Sequence, residues 1–213
     1  CMKLKDTGIK VMVDGNTKVA FIGAGKLGGP VSEVMAEYYD VAIHDTAMNT
    51  DMEEVCKDRD IIFVAVPTPH HSDYGGDKPT YNLPPEDFDY STLIDVLKDL
   101  NKYAKPDALV AVISTVLPTT FRNKLIDIPE NYRLVYNPYL IAMGTVKEDF
   151  LNPEMMIAGG DEGDRAELIS FYQNIITTPV RWETGTYEEA ECIKVFYNTF
   201  ISMKISFVNM IQD

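Results

Sequence analysis

The residues with the clearest chemical purpose are three glycines that follow a short apolar run in the stretch FIGAGKLG. Gly23 permits a tight turn, Gly25 lets a backbone come close to a phosphate group, and Gly28 lets a following helix pack closely against a strand. The helix start at Lys26 and Leu27 would add N–H donors and a partial positive charge. This spacing predicts a turn that binds the pyrophosphate of a dinucleotide.

A carboxylate follows where such a site needs one. The run DVAIHD, a second predicted strand, ends at Asp45, seventeen positions after Gly28. An acid at this place accepts hydrogen bonds from the ribose hydroxyls of NAD and repels the 2′-phosphate of NADP. The alternative is a glycine-rich turn beside an ordinary surface aspartate. Because strand, glycines and acid stand in register, we predict NAD as the cofactor.

Two further apolar runs end in rigid or small polar residues. IIFVAVPTP passes from a strand into Val66, Pro67 and Thr68, and AVISTVLP reaches Ser114 and Thr115. The carboxyl ends of the strands line the cofactor crevice of a doubly wound sheet, so we expect these residues to form its wall. In the alternative interpretation, VPTP only ends a strand and the Ser–Thr pair caps the next helix.

A polar stripe runs along an otherwise apolar segment near residue 200. At about 100 degrees per residue its members fall within about 120 degrees of arc; they are Lys194, Asn198, Ser202, Ser206 and Asn209. Lys194 and Asn198 could together hold the oxygen of a reacting alcohol or carbonyl, because lysine stabilises negative charge or moves a proton and asparagine orients the group. The alternative is a solvated stripe on the rim of a helix.

Other reactive side chains are assigned structural roles. Cys192 lies about 160 degrees from Lys194 on a helical wheel, so the two cannot serve one site. His70, His71 and Asp73 bring no further ligand at a helical or hairpin spacing, and we predict no metal site. The three cysteines of the chain are far apart, which indicates no disulfide framework and favours a reducing, cytoplasmic setting.

After residue 18, apolar runs rich in valine and isoleucine alternate with helix-length amphipathic segments, which predicts strand–helix–strand units. The expected fold class is α/β, with a Rossmann-type, doubly wound, mostly parallel sheet over residues 18–184. The predicted strands are 18–22, 41–44, 61–66, 108–113, 132–136 and 155–158. The predicted helices are 26–38, 90–103, 119–126 and 162–174.

Three segments fall outside this regular pattern. Residues 1–17 are an N-terminal extension. Residues 9–22 look like a hairpin, but its second arm would be the central strand of the sheet, which already has a neighbour on each side, so we expect the first arm to lie elsewhere. The long loop 70–89 is typical of a functional or mobile segment. Residues 185–213 predict one long helix, apolar over most of its circumference, which needs cover from the first domain and from a partner, most simply a second copy of the chain.

Charge limits the partners. The chain has 19 Lys and Arg against 33 Asp and Glu, a formal net charge of -14, which repels nucleic-acid backbones and anionic lipid at long range. We therefore expect no nucleic acid and no membrane partner, whereas an anionic small molecule still binds locally through backbone N–H groups. The sequence shows no apolar signal segment and no run of about 18 apolar residues, so we expect neither a signal peptide nor a membrane span.

Together these residues resemble the UDP-glucose/GDP-mannose dehydrogenase family. Five blocks in the family's order over residues 18–213 establish the likeness: FIGAGKLGGP, IIFVAVPTP, ISTVLPTT, LVYNPYLIAMGTVKEDFLNPEMMIAGG and EEAECIKVFYNTFISMKISFVNMI. The resemblance implies an N-terminal NAD-binding domain, a long central helix that mediates dimerisation, and Thr115, Lys194 and Asn198 at the active site. The expected function is NAD-dependent oxidation of a nucleotide sugar such as UDP-glucose, by a homodimer joined through residues 186–213.

The chain also departs from the family pattern. Family members usually read SPEFLREG where residues 137–144 read NPYLIAMG, so Tyr139 and Met143 replace one glutamate that helps catalysis and one that touches the cofactor. The family's catalytic cysteine and UDP-binding domain come after the central helix, where this sequence ends. We therefore expect a shortened or degenerate member. Two alternatives stay open: an NAD-binding dimer or subunit that needs another chain, and a relative of the β-hydroxyacid dehydrogenases, which also pair a Rossmann domain with a K-x-x-x-N helix.

Overall fold

A seven-stranded sheet forms the centre of the protein in the computed structural model, which describes residues 16–74, 81–142 and 144–212. Its strands are β1 Lys18–Ile22, β2 Asp40–His44, β3 Ile61–Val64, β4 Leu109–Val112, β5 Arg133–Tyr136, β6 Met155–Gly160 and β7 Arg181–Gly185. They lie in the order β2-β1-β3-β4-β5-β6-β7. Strand β1 pairs with β2 on one side and β3 on the other, so both its neighbours are taken, as predicted. The predicted first arm of the hairpin lies outside the described residues.

Six helices cover the two faces of the described sheet. They are α1 Gly28–Met35, α2 Met52–Cys56, α3 Ser91–Tyr103, α4 Val146–Leu151, α5 Glu162–Gln173 and α6 Tyr187–Gln212. The predicted α/β class, the mostly parallel sheet and the long final helix are confirmed. The helix predicted at 119–126 is a short π-helical turn at Phe121–Leu125. The sequence pattern does not predict β7, α2 or α4.

Two strands run against the rest of the sheet. Strands β1 to β5 are parallel to one another. Strand β6 pairs antiparallel with β5, with Val135 opposite Gly160 and Tyr136 opposite Gly159, and β7 is parallel to β6. As a result, β6 and β7 begin at the edge of the sheet where β1 to β5 end.

The apolar strands are buried on both faces because successive side chains point to opposite sides. In β3, Ile62 and Val64 join a core cluster with Leu93, Leu97 and Leu100, which lie along one face of α3. The alternate residues Ile61 and Phe63 join a second cluster with side chains of α1 and α5 on the other face. This explains why runs such as IIFVAV are apolar without alternation.

Within the described residues, helix α6 packs against the sheet through its first half. Thr186 and Glu189 form a capping box, in which Glu189 Oε2 accepts a hydrogen bond from Thr186 N at 2.8 Å and Thr186 Oγ1 accepts one from Glu189 N at 3.3 Å. Its buried residues are Ala190, Glu191 and Lys194. Every described residue from position 198 onward is exposed, so the second half of the 26-residue helix extends away from the sheet.

Candidate functional site

Two of the three glycines in the turn after β1 are required by the protein's own backbone. Gly23 has φ of +97°, and a Cβ atom there would lie 2.4 Å from Ala65 O. A Cβ atom on Gly28 would lie 2.0 Å from Gly23 O. Real Cβ atoms do not approach other atoms so closely, so the close packing of β1, β3 and α1 allows only glycine at both positions.

Gly25 differs from these two, because nothing in the fold requires it. Apart from Gly25 itself and its two neighbours in the chain, no described residue has an atom within 4 Å of the place that a Cβ on Gly25 would occupy, and its φ is not in the left-handed region. The turn therefore leaves open space above Gly25, at the start of α1, beside Lys26 and Leu27. Such a space fits a ligand whose phosphates approach the backbone closely, so the residues present fit the pyrophosphate of NAD.

Asp45, at the end of β2, faces this turn. Its Oδ2 atom accepts a hydrogen bond from Ala24 N at 2.7 Å, and its Oδ1 atom accepts one from Ala47 N at 2.8 Å. These backbone hydrogen bonds lower the pKa of the Asp45 carboxyl. The charged carboxylate thus braces the glycine turn, and each oxygen keeps a lone pair for a ribose hydroxyl.

The predicted crevice wall comes together at the ends of β3 and β4. Ser114 Oγ donates to Val66 O at 2.6 Å, and Thr68 Oγ1 donates to Thr115 O at 2.7 Å. Pro67 lies between the two bonded residues of the first segment. Neither hydroxyl caps a helix, because the turn that follows has Thr120 at its N-cap and no side-chain capping bond. The two segments are therefore braced against each other, one strand away from the glycine turn.

Successive strand ends form one continuous row along this edge. The backbone hydrogen bonds that join them, each 2.8 Å long, are Ala65 N to Ile22 O, Ile113 N to Val64 O, and Asn137 N to Val112 O. The row passes from the glycine turn through the crevice wall to the segment after β5. It brings together residues far apart in sequence along one side of the sheet.

Lys194 lies at the far end of this row. It is 9% exposed, and its Nζ atom donates to the backbone oxygen of Tyr139 at 2.7 Å. Burial lowers the pKa of Lys194 to about 8, because desolvation disfavours the ammonium form. Lysine with a pKa near 8 is partly neutral close to neutral pH and can accept a proton there.

The structure does not bury the rest of the predicted polar stripe. Asn198, one turn after Lys194, is exposed. Further along, Ser202 Oγ donates to Asn198 O at 3.1 Å, and Ser206 Oγ donates to Ser202 O at 2.9 Å. These hydroxyls bond to their own helix, so Lys194 is the stripe member that reaches the strand ends.

Tyr139 occupies one of the positions where the family resemblance has a glutamate. Its hydroxyl pairs with Tyr172 Oη at 2.6 Å, and Tyr172 Oη donates to Asn137 Oδ1 at 2.6 Å. Tyr139 is 6% exposed, and burial raises the pKa of its hydroxyl. The side chain points into the core beneath the sheet edge, so only its backbone oxygen contacts Lys194. Met143 lies outside the described residues.

One buried polar residue of α6 is not predicted from the sequence. Glu191 is fully buried and binds backbone N–H groups of the loop after β4. A signal was present, since Glu191 falls about 60 degrees from Lys194 and within the arc of the polar stripe.

The remaining reactive side chains lie elsewhere. Cys56 is buried and desolvation raises the pKa of its thiol to about 12, which fits a packed residue. Cys192 is half-buried. His71 Nδ1 lies 3.6 Å from Asp73 Oδ2, and across the described ranges no group of three or more His, Cys, Asp or Glu side chains is placed to hold a metal ion. In the same part of the chain, no helix is both long enough and apolar enough to cross a membrane.

Comparison with solved structures shows that other proteins share this fold. A ternary complex of GDP-mannose dehydrogenase from Pseudomonas aeruginosa superposes with a TM-score of 0.76 at 19% identity, covering 90% of this chain and 51% of that one. A UDP-glucose dehydrogenase from the archaeon Pyrobaculum islandicum gives a TM-score of 0.74 at 20% identity, over 92% of this chain and 52% of that one. At these identities the likeness establishes the fold.

Sequence comparison identifies the family. UDP-glucose 6-dehydrogenase of Rickettsia typhi is 26% identical over 158 residues, which cover 72% of this chain and 34% of the relative, so the chain spans about a third of that protein. Residues 38–176 match the NAD binding domain of the UDP-glucose/GDP-mannose dehydrogenase family. The glycine turn precedes that stretch, and the open space beside Gly25 fits a pyrophosphate. The chain therefore belongs to the UDP-glucose/GDP-mannose dehydrogenase family and contains its NAD binding domain.

Proposed function

We propose that this chain oxidises a nucleotide sugar, UDP-glucose or a similar compound, with NAD in the crevice between Gly23 and Thr115. When bound, NAD would supply the chemistry of accepting a hydride from the sugar carbon. Gly25, Lys26 and Leu27 would hold the pyrophosphate, and Asp45 would bind the ribose. The observation that supports this most strongly is the single row of strand ends that leads from the glycine turn to Lys194.

The residues proposed for catalysis have separate tasks. Lys194, with its pKa lowered to about 8, would take the proton from the sugar hydroxyl or stabilise the charge on its oxygen. Asn198 would orient the same oxygen from the next turn of α6. Thr115, at the end of β4, would position substrate or cofactor from the crevice wall.

A direct experiment tests this proposal. The protein is titrated with NAD and with NADP by calorimetry, and NADH absorbance is then followed with UDP-glucose, GDP-mannose and a small β-hydroxy acid. We expect NAD to bind more tightly than NADP and NADH to form only with a nucleotide sugar. Turnover of the hydroxy acid alone would favour the β-hydroxyacid dehydrogenase alternative. Absence of NAD binding would contradict the proposal.

One observation favours a second candidate, an NAD-binding subunit that produces no NADH without another chain. Tyr139 stands where the family resemblance has one of its two glutamates, and its side chain is hydrogen-bonded to Tyr172 in the core. It therefore offers no carboxylate beside Lys194. This candidate predicts NAD binding without NADH formation from any nucleotide sugar, and the same titration and absorbance assay distinguishes the two.

Homodimerisation through α6 is part of the proposal. From Phe196 onward the helix exposes large apolar side chains over most of its circumference, with 38% to 78% of each residue exposed. They are Phe196, Phe200, Ile201, Met203, Ile205, Phe207, Val208, Met210 and Ile211. A contiguous apolar surface of this kind favours association, and a second copy of the chain would supply a matching helix.

A further inference from the structure

Glu191 is a buried carboxylate that the proposed chemistry does not use. It is 0% exposed, on the first half of α6. Its Oε2 atom accepts a hydrogen bond from Thr119 N at 2.6 Å, and its Oε1 atom accepts one from Phe121 N at 2.8 Å. Both oxygens therefore bind the backbone of one loop, which runs from Thr115 at the end of β4 to Phe121.

This loop has an unusual backbone where Glu191 binds it. Thr119 has φ of 75°, a left-handed conformation that β-branched residues rarely adopt. Such a conformation persists only when its surroundings hold it. At the other end of the loop, Thr68 Oγ1 donates to Thr115 O at 2.7 Å. The segment that begins with Thr115 is thus held between the end of β3 and helix α6.

The same helix carries Lys194, three residues after Glu191. Residues at this spacing lie on the same side of a helix, and both side chains are buried. The Glu191 side chain points to the loop after β4, and the Lys194 side chain points to the segment after β5. Helix α6 therefore joins the two segments on which Thr115 and Tyr139 lie.

We propose that Glu191 is a positioning residue, which fixes the loop that carries Thr115 against the helix that carries Lys194. This inference rests on the proposed function, in which Thr115 lines the NAD crevice and Lys194 acts on the substrate. Glu191 touches neither ligand, and its effect passes through the backbone of Thr119 and Phe121.

The chemistry of the contact requires a carboxylate. Two N–H donors need two acceptor atoms, and an ionised glutamate supplies them, whereas glutamine has one oxygen and would turn an NH₂ donor toward the second N–H group. Burial raises the pKa of Glu191, while the hydrogen bonds from the loop act in the opposite direction. Glu191→Gln therefore keeps the side-chain volume and removes one of the two bonds.

Two tyrosine hydroxyls also hold this loop, so Glu191 could serve with them only to stabilise the fold. Leu117 N donates to Tyr90 Oη at 3.0 Å, and Val116 N donates to Tyr136 Oη at 3.4 Å. If Glu191 served only the stability of the fold, its loss would lower the melting temperature and leave the cofactor site unchanged. A positioning role instead predicts a change at Thr115 in the folded protein.

The test measures the NAD dissociation constant by calorimetry for the whole chain and for Glu191→Gln, Thr115→Ala and the double variant, each below its own melting temperature. We expect Glu191→Gln to weaken NAD binding about tenfold, because small displacements of a binding group have large effects. We expect the NAD dissociation constant of the double variant to exceed that of Thr115→Ala by much less than tenfold, because both changes act on the same residue. Glu191→Asp, which keeps two acceptor oxygens, should recover part of the loss.

Glu188→Gln is the matched control. Glu188 lies one turn earlier on α6 and pairs with the exposed Arg122 side chain, so its removal should leave NAD affinity unchanged. If Glu191→Gln melts at a lower temperature but binds NAD like the wild type, or if the effects of the two single variants multiply in the double variant, the inference is wrong. If Glu191→Gln does not fold, Glu191→Asp is judged by the same two criteria. Failure of the wild type to bind NAD overturns the proposed function together with this inference, whereas wild-type binding that Glu191 does not influence overturns the inference alone.

Discussion

Replacement of Gly25 by valine should separate cofactor binding from folding. Beyond the two neighbouring residues in the chain, no described residue has an atom within 4 Å of the new Cβ, and the backbone at Gly25 has no positive φ. The folded state can therefore accept the side chain without strain. Loss of glycine from the unfolded chain would stabilise the protein by about 0.4–1 kcal/mol, so we expect a melting temperature that is unchanged or a few degrees higher.

The effect on NAD should be large, because the valine side chain would fill the space in which we propose that a pyrophosphate meets the backbone. If two N–H groups lose their bonds to charged oxygens, at about 1.5 kcal/mol each, binding weakens by about 3 kcal/mol. That corresponds to about a 100-fold increase in the NAD dissociation constant.

Calorimetric titration of wild type and Gly25→Val with NAD, beside a thermal melt of both, measures the two effects separately. Gly163→Ala is the control, since a Cβ atom on Gly163 would lie 3.3 Å from the side chain of the exposed Asp161 and this glycine lies in α5, outside the turn. We expect the control to bind NAD like the wild type. Tight NAD binding by a folded Gly25→Val protein would refute the assignment of the turn as the pyrophosphate site.

Three other measurements test the packing, the buried lysine and the proposed interface. Gly28→Ala should lower the free energy of unfolding by about 1–3 kcal/mol, because its Cβ would lie 2.0 Å from Gly23 O; a thermal melt equal to that of the wild type would contradict the packing argument. Native Lys194 has a pKa of about 8, against 10.5 for an ordinary lysine, so between these pH values the unfolded chain binds one more proton than the folded chain. The free energy of unfolding of the wild type, relative to that of Lys194→Met, should therefore rise with pH across this window by about 3 kcal/mol. Urea titrations at several pH values measure this difference, and a difference that does not change with pH would be evidence against a desolvated lysine. Light scattering should give the mass of a dimer for the wild type and of a monomer for a variant with both Phe200→Glu and Phe207→Glu, whereas equal masses would argue against α6 as the interface.

The sequence predicts strands β1 to β6 well, because most of them are valine and isoleucine runs that are apolar on both faces. Strand β7, with the sequence RWETG, is harder to predict, since it is the last strand of the described sheet and its residues are half-buried or exposed. Helices α2 and α4 have five and six residues, too few for a helical period to stand out. The π-helical turn at Phe121–Leu125 is shorter than the helix predicted at 119–126, because Thr119 has a φ of 75°, which a right-handed helix does not contain.

The candidate site is predictable where a residue type has one main use. Glycines in a fixed spacing and a carboxylate after the second strand indicate their positions directly. The direction of Tyr139 cannot be read in this way, because the choice between crevice and core depends on whether Tyr172 and Asn137 lie within reach. The role of Glu191 likewise depends on a loop more than seventy positions earlier in the chain, at Thr119. The roles assigned to Lys194, Asn198 and Thr115 stay predictions until they are measured.

The reversal of direction between β5 and β6 decides where α6 can act. Because β7 ends at the edge remote from the glycine turn, the helix that follows it must travel back across the sheet. Lys194 therefore lies at the strand ends, two turns after the helix begins. The remaining turns extend beyond that edge as one uninterrupted helix. A partner that binds the exposed turns would contact the same rigid helix that carries Lys194. Assembly would then be coupled directly to the geometry of the proposed reacting centre, with no loop between the two.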